Sequence, residues 1–283
     1  MPGSDLSSMK IALTFGFVLA GAALAAAPAL QEPGTQAPAA GEASQAAPVC
    51  PLMPEGGPPE GALPGPVAGR VVFEGERPGM KPLAISAEKA EGCVADGGPV
   101  DAADRSLLIG KEGGVRYVVA TLEGDGEKLA VPGKPIELDQ IQCHYEPHVI
   151  LVPAGAKVAF KNSDSLSHNV HTYGFKNKGF NKLIAGGESV EQVLAKTESI
   201  KVKCDIHPWM SSWIFVTSHV HTAVTGPDGS FHFDGVKPGE YTLKLWHEKL
   251  SKGTYKVTIK EDGSMEPAEF KMKAKVRRTH RRS

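Results

Sequence analysis

The segment Cys204-Asp-Ile-His207-Pro-Trp-Met210 sets the strictest condition on the fold, because it puts a thiol, an imidazole and a thioether into one short loop. A further imidazole, His168, stands well upstream in Ser167-His168-Asn169-Val-His171. Two imidazoles, a thiolate and a thioether are the donors of a trigonal copper centre with a weak axial sulfur. Thiolate and thioether suit Cu(I) and imidazole serves both oxidation states. A trigonal site fits neither state ideally, so little moves when one electron passes. Zinc takes four firm donors and gains nothing from a thioether. A chain that uses this set must bring a loop and a distant strand together at one end of its fold.

The surrounding sequence supplies short strands for that purpose. Between Pro135 and Ser218, the runs Ile141 to Val152, Ala156 to Lys161, Asn169 to Tyr173, Ser189 to Leu194, Ser199 to Lys203 and Ser212 to Thr217 are alternating or β-branched. Gly, Asn, Asp or Pro separates them. With few aromatic residues, 32 Gly and 22 Pro, the chain reads as all-β, and the spacing suits a Greek-key sandwich with the donors at one end.

These residues resemble a family. CDIHPWM is similar to the copper loop of the amicyanin-like cupredoxins, Cys-x2-His-x2-Met with Pro after the His, and SHNVH is similar to their first-ligand segment. The likeness continues through Tyr145-Glu-Pro147, Gly155-Ala-Lys-Val158 and Lys161-Asn162. It implies one type 1 copper ion held by His168, Cys204, His207 and Met210, with Asn169 tying the two ligand segments together. It also implies that electrons pass at the His207 imidazole edge, through an apolar patch with Pro208 and Trp209. Asp205 departs from the family, in which Ser or Thr usually follows the Cys. A carboxylate there favours Cu(II) and lowers the potential. His171, three positions from His168 on a strand, points to the opposite face and is expected to pack or to meet solvent. His144 and His148, four apart on one face of an extended segment, are expected to play a structural role near the Tyr145-Glu-Pro147 turn, a second metal site being the alternative.

The function implied is that of a one-electron carrier rather than an enzyme, with a redox protein such as a periplasmic cytochrome or dehydrogenase as partner. Copper binding and delivery is an alternative, and a structural or adhesive surface protein with a vestigial copper site is another. No nucleophile is paired with a base at a hydrolase spacing.

After the copper unit, Thr225-Gly-Pro-Asp-Gly-Ser-Phe231 and Pro238-Gly-Glu-Tyr241 read as strands joined by Asp-Gly and Pro-Gly turns. This pattern resembles the carboxypeptidase regulatory-like (transthyretin-like) β-sandwich. Ala68 to Glu74 and Val115 to Leu122 read like further strands of such a module, although they precede the copper unit. Two arrangements are open. Residues 66–124 and 220–276 form one sandwich with the cupredoxin of residues 125–219 inserted, or the N-terminal strands pack on the cupredoxin and the C-terminal module stands alone.

The ends have other compositions. Residues 1–25 read as an export signal, with Lys10, an apolar core and Ala23-Leu-Ala25 as a cleavage site, so the mature chain is expected in a bacterial periplasm with no membrane span left. Residues 26–65 are a Pro/Ala/Gly-rich linker with too little apolar surface to fold. Residues 277–283 end the chain as a basic tail. From Lys271 to Arg282 there are seven Lys or Arg and no acid, against a net charge of −1 for the whole chain. Without aromatic interleaving this does not indicate nucleic acid. Export permits disulfides. Cys93 and Cys143, both within ordered sequence, are the favoured pair, with Cys50 left over; a Cys50 to Cys93 bridge is the competing possibility.

Overall fold

In the computed structural model of the chain, residues 61–275 are described, apart from 64, 96 and 125–128. The signal segment, most of the linker with Cys50, and the basic tail lie outside the described residues. Strand β1 (Val67–Phe73), a short helix α1 (Ala87–Ala90) and β2 (Val119–Glu123) come first. Then follow β3 (Ile136–Ile141), β4 (His144–Glu146), β5 (Val149–Pro153), β6 (Lys157–Lys161), β7 (His168–Tyr173), β8 (Phe180–Ile184), β9 (Ser189–Val193), β10 (Glu198–Lys203) and β11 (Ser211–Thr217). The last group is β12 (Thr222–Val224), β13 (Ser230–Phe233), β14 (Gly239–Trp246), β15 (Gly253–Ile259), β16 (Met265–Glu266) and β17 (Glu269–Met272). The fold is all-β.

The middle group makes one sandwich, from a sheet ordered β4-β3-β6-β9 and a sheet ordered β5-β11-β10-β7-β8. Leu138, Tyr145, Val158, Phe160, Val170, Ile200 and Ile214 fill the space between them. The flanking groups make a second sandwich together. β1 pairs antiparallel with β13 and parallel with β17, while β2 lies between β12 and β14. Its core holds Val71, Leu122, Phe231, Phe233, Leu243 and Phe270. The middle group of strands is therefore inserted between two halves of one sandwich.

Where the sandwiches meet, Val-Ile-Leu-Val-Pro of β5 is buried at every residue, because one face serves its own core and the other faces the second sandwich. Val119, Val224, Trp213 and Trp246 complete the junction, the two indole rings standing 5.1 Å apart. His148 Nε2 meets Glu248 Oε1 at 2.6 Å there, both side chains almost fully buried.

Three strand readings change. Ile141 to Val152 is not one strand: Gln142 and Cys143 turn at φ 51° and 55°, and Pro147, which has no N–H to donate, separates β4 from β5. β3 and β8 have no counterpart in the sequence reading. β8 is an edge strand whose Leu183 points to solvent at 66% exposure, so it lacks the buried alternation that marks a strand. Among the described residues, no helix is long and apolar enough to cross a membrane.

Candidate metal centre

β10 and β11 form an antiparallel hairpin with Lys203 opposite Ser211, which makes Cys204 to Met210 the connecting loop. The loop is closed by its own backbone. Cys204 N–H donates to Met210 O at 3.3 Å, Met210 N–H to His207 O at 2.9 Å, and His207 N–H to Cys204 Sγ at 3.4 Å. β7 lies beside β10 with His171 opposite Lys203, so His168 at the start of β7 sits against the loop. His168 Nδ1 and His207 Nδ1 are 2.8 Å apart, and Cys204 Sγ is 3.8 Å from His207 Nδ1. One donor atom from each of the three falls within 4.8 Å of the other two. His168, Cys204 and His207 are all buried, and Met210 is fully enclosed at the end of the same loop.

Two elements hold the start of β7 and the Cys204 loop in register. Asn169 Oδ1 accepts the Asp205 N–H at 2.6 Å, so the residue after one imidazole is bound to the residue after the thiol. The Tyr145 hydroxyl donates to Asn169 O at 2.8 Å and to Lys203 O at 3.1 Å, spanning both segments from the opposite sheet. Trp209 donates its indole N–H to Cys143 O at 3.1 Å.

Asp164 is a further participant. Its Oδ2 lies 2.8 Å from His168 Nε2, and its carboxylate also accepts the backbone N–H groups of Gln142 and Cys143. Those two residues hold the left-handed conformation of a two-residue hairpin turn, a strained choice for non-glycine residues that the carboxylate supports. Gly186 allows this loop to close, since a Cβ there would meet Asp164 O at 2.6 Å and Ser165 O at 2.7 Å.

The electrostatics favour a charged donor set. Burial pushes the Cys204 thiol up, but hydrogen bonding from His168 and His207 outweighs it and brings the thiol down to about 6. Burial pulls His168 down, but Asp164 and the Cys204 sulfur outweigh it and raise the imidazole to about 9. Cys204 and His168 thus each favour the charged form of the other, with Asp164 behind the imidazole. A soft cation bound by these residues would take the place of a proton on the inner nitrogen of His168, the outer nitrogen being held by Asp164. Two imidazoles and a thiolate converging on one point, with a thioether residue closing the loop, fit copper.

The other residues singled out in the sequence separate clearly by position. Asp205 lies at the surface, its carboxylate bound by Asn169, Asn181 and His171 at 3.0 Å each. His171 points away from the donors, as its offset requires, and stacks on Tyr173 at 4.2 Å. His144 is buried beside Arg105, and His148 is at the junction with Glu248. Cys93 and Cys143 form a disulfide. The His207 imidazole edge expected to pass electrons lies in the loop beside Pro208 and Trp209. Of His207, Pro208 and Trp209, only Pro208 is exposed; His207 is 4% and Trp209 7% accessible. Cys93 on the N-terminal arm lies against His207, its sulfur within 4.8 Å of a ring nitrogen, and Leu83, Ile85, Ala90 and Val94 of the arm pack on the core cluster that contains Cys93, Trp209 and Met210. Sequence reasoning missed Asp164 and this cover. A carboxylate four residues before a ligand is too common to be a signal, and the arm meets the loop only through tertiary packing.

Known proteins resemble parts of the chain rather than the whole. A family profile described as the ER membrane protein complex subunit 7 beta-sandwich domain matches residues 207–282. That is the region expected to resemble a carboxypeptidase regulatory-like module, and the matching family is a different β-sandwich. No curated protein sequence matches the chain. Among solved structures, a Cu-containing nitrite reductase from Thermus scotoductus SA-01 aligns at 23% identity and a TM-score of 0.29, covering 34% of this chain. The matched region spans only 25% of that enzyme's length. A purple cupredoxin from Nitrosopumilus maritimus aligns at 23% identity and a TM-score of 0.26, covering 29% of this chain and 99% of its own. A Cu(I) form of an amicyanin variant aligns at 19% identity and a TM-score of 0.28, covering 35% of this chain and 98% of its own.

Proposed function

We propose that this chain is an exported type 1 copper protein that carries single electrons between redox partners, with His168, Cys204, His207 and Met210 as the ligands. The observation that carries the reading is the convergence of His168, Cys204 and His207 donor atoms within 4.8 Å in a buried loop closed by Met210. Copper held there supplies a one-electron couple. The protein's own residues do the rest. Asn169, Tyr145 and the loop's backbone bonds fix the donors so that the site does not rearrange between oxidation states, and burial excludes water from it. Asp164 sets the orientation of His168, and Asp205 adds negative charge at the rim. Ile206 and Pro208 are the exposed apolar residues of the loop and offer the contact surface to a partner such as a periplasmic cytochrome or dehydrogenase. Residues 66–124 and 220–276 act as the supporting sandwich around the copper unit of residues 125–219.

The test is the visible absorption and electron paramagnetic resonance of the purified chain loaded with Cu(II), alongside Cys204→Ala and Met210→Ala. The expected result is an intense thiolate-to-copper charge-transfer band with narrow copper hyperfine splitting, abolished in Cys204→Ala and shifted in Met210→Ala. A weak tetragonal signal indifferent to Cys204 overturns the reading.

A further inference from the structure

The Cys93–Cys143 disulfide lies against the donor set. Cys143 Sγ is 3.8 Å from His168 Nε2, and donor atoms of Cys93, Cys143 and His207 lie within 4.8 Å of one another, all three residues buried. Metal–sulfur bonds of about 2.3 Å at trigonal angles need donors about 4 Å apart, a separation that two sulfurs reach once their bond is open. From these positions we infer that Cys93 and Cys143, when reduced, form with His207 a second copper site, a Cu(I) site that shares one ligand with the first. The inference rests on the copper reading for the identity of the metal.

Two features of the surroundings point the same way. Cys93 is carried on an arm that covers His207 but is itself shallow: α1 buries no residue, and Glu88, Lys89, Glu91 and Gly92 are exposed. Opening the bridge removes the covalent anchor of this cover from the donor site. Cys143, in contrast, is fixed. Its N–H is held by Asp164 at 2.8 Å and its carbonyl by the Trp209 indole at 3.1 Å, which keeps its sulfur beside the imidazoles independently of the bridge. One sulfur is thus fixed by the loop's own hydrogen bonds, and the other is carried on a segment whose α1 buries no residue.

The step requires a dithiol reductant. Its thiolate attacks one sulfur of the bridge, forming a mixed disulfide and freeing one cysteine. Its second sulfur then closes the reductant's own disulfide and frees the other. Two electrons and two protons pass to Cys93 and Cys143, and both protons leave to solvent as the thiolates bind Cu(I). Two thiolates and an imidazole are a softer set than the first site and favour Cu(I) over Cu(II).

The experiment uses the full chain with Cys204→Ala, which removes the first site's thiolate, titrated anaerobically with Cu(I) against bicinchoninate before and after treatment with dithiothreitol and its removal. Expected is one Cu(I) bound about tenfold tighter or more after reduction, with two sulfur neighbours in copper K-edge absorption. Adding Cys93→Ser and Cys143→Ser should abolish the gain while circular dichroism shows the fold kept. Equal affinity in both redox states overturns the inference, as does loss of the fold on opening the bridge, or a gain that survives the serine substitutions. A failure of the first site is recognised separately: wild-type protein without the charge-transfer band sinks the electron-carrier reading, yet leaves this measurement unchanged.

Discussion

The two sandwiches share a strand class and differ in what they bury. The one assembled from β1, β2 and β12–β17 closes around Val71, Phe231, Phe233, Leu243 and Phe270. The inserted one closes around a similar apolar core, but keeps His168, Cys204, His207 and Asp164 at one end, nearly shut off from water. Buried polar groups are costly unless each is paired, and here they are paired with one another and with the backbone. The difference separates a scaffold, whose requirement is volume, from a site, whose requirement is a specific set of contacts. Substitutions in the first should change stability without changing the metal's spectrum, whereas substitutions around the donors of the second should change the spectrum as well.

The largest effect is expected from the scaffold. Phe231→Ala removes a fully buried ring that packs on Phe233 and Phe270, and should cost about 3–5 kcal/mol in urea unfolding. The charge-transfer band of the molecules still folded should keep its position. A displaced band would mean that the two sandwiches are mechanically coupled through the junction.

Acid sharpens the comparison, because histidines at the two places are shifted in opposite directions. At the junction, burial and the neighbouring His148 outweigh Glu248 and bring His247 down to about 4. Its folded value is below its unfolded one of about 6.5, so its contribution is present above that value and lost as pH falls through about 4, roughly 3 kcal/mol in all. His168, raised to about 9, contributes fully below about 6.5 and loses its contribution as pH rises through 9. Unfolding of the metal-free protein by urea at several pH values, with His247→Gln alongside, checks this. The variant should lose about 3 kcal/mol less than wild type between pH 7 and pH 4. Parallel curves would remove His247 from the account.

How much of this was legible in the sequence depended on how local each feature is. Cys204, His207 and Met210 share a loop whose spacing is a local pattern, and Asn169 follows His168 directly. The Asp-Gly and Pro-Gly turns announced β13 and β14 for the same reason. The pairing of β1 with β13 and β17 was one of two open arrangements, since both satisfy the same alternation. Asp164, the His148 to Glu248 contact and the burial of His207 under the Cys93 arm arise from packing between segments far apart in the chain. β8 was invisible because an edge strand with exposed residues lacks the buried face on which a period-two reading depends.

A smaller effect separates the tyrosines of the two sandwiches. Tyr145 is buried, and its hydroxyl serves two backbone carbonyls across the ligand segments, so Tyr145→Phe should cost about 1–2 kcal/mol and broaden the copper hyperfine lines as the segments loosen. Tyr255 donates to Lys271 O at the surface of the scaffold, and Tyr255→Phe should stay within about 0.5 kcal/mol. Thermal unfolding of both variants, with spectra of the copper-loaded forms, makes the comparison. Equal costs would mean that the ligand segments are held by the strand pairing alone.

The smallest effect expected is at the rim, where Asp205 directly follows Cys204. Slight burial nudges its carboxyl upward, but hydrogen bonds from Asn181, His171 and Asn169 outweigh this and keep it ionised well into acid. A negative charge one residue from the thiolate favours the more positive oxidation state of a metal held there. Asp205→Asn should therefore raise the reduction potential measured by protein-film voltammetry. Because Asp205 is open to solvent, the rise should shrink with added salt. Asp164→Asn gives the internal contrast, since that carboxylate is 7% exposed and bound to His168, and its effect should persist at high ionic strength. If the two variants respond to salt alike, the distinction between a buried carboxylate that orients a ligand and a surface one that only adds charge fails.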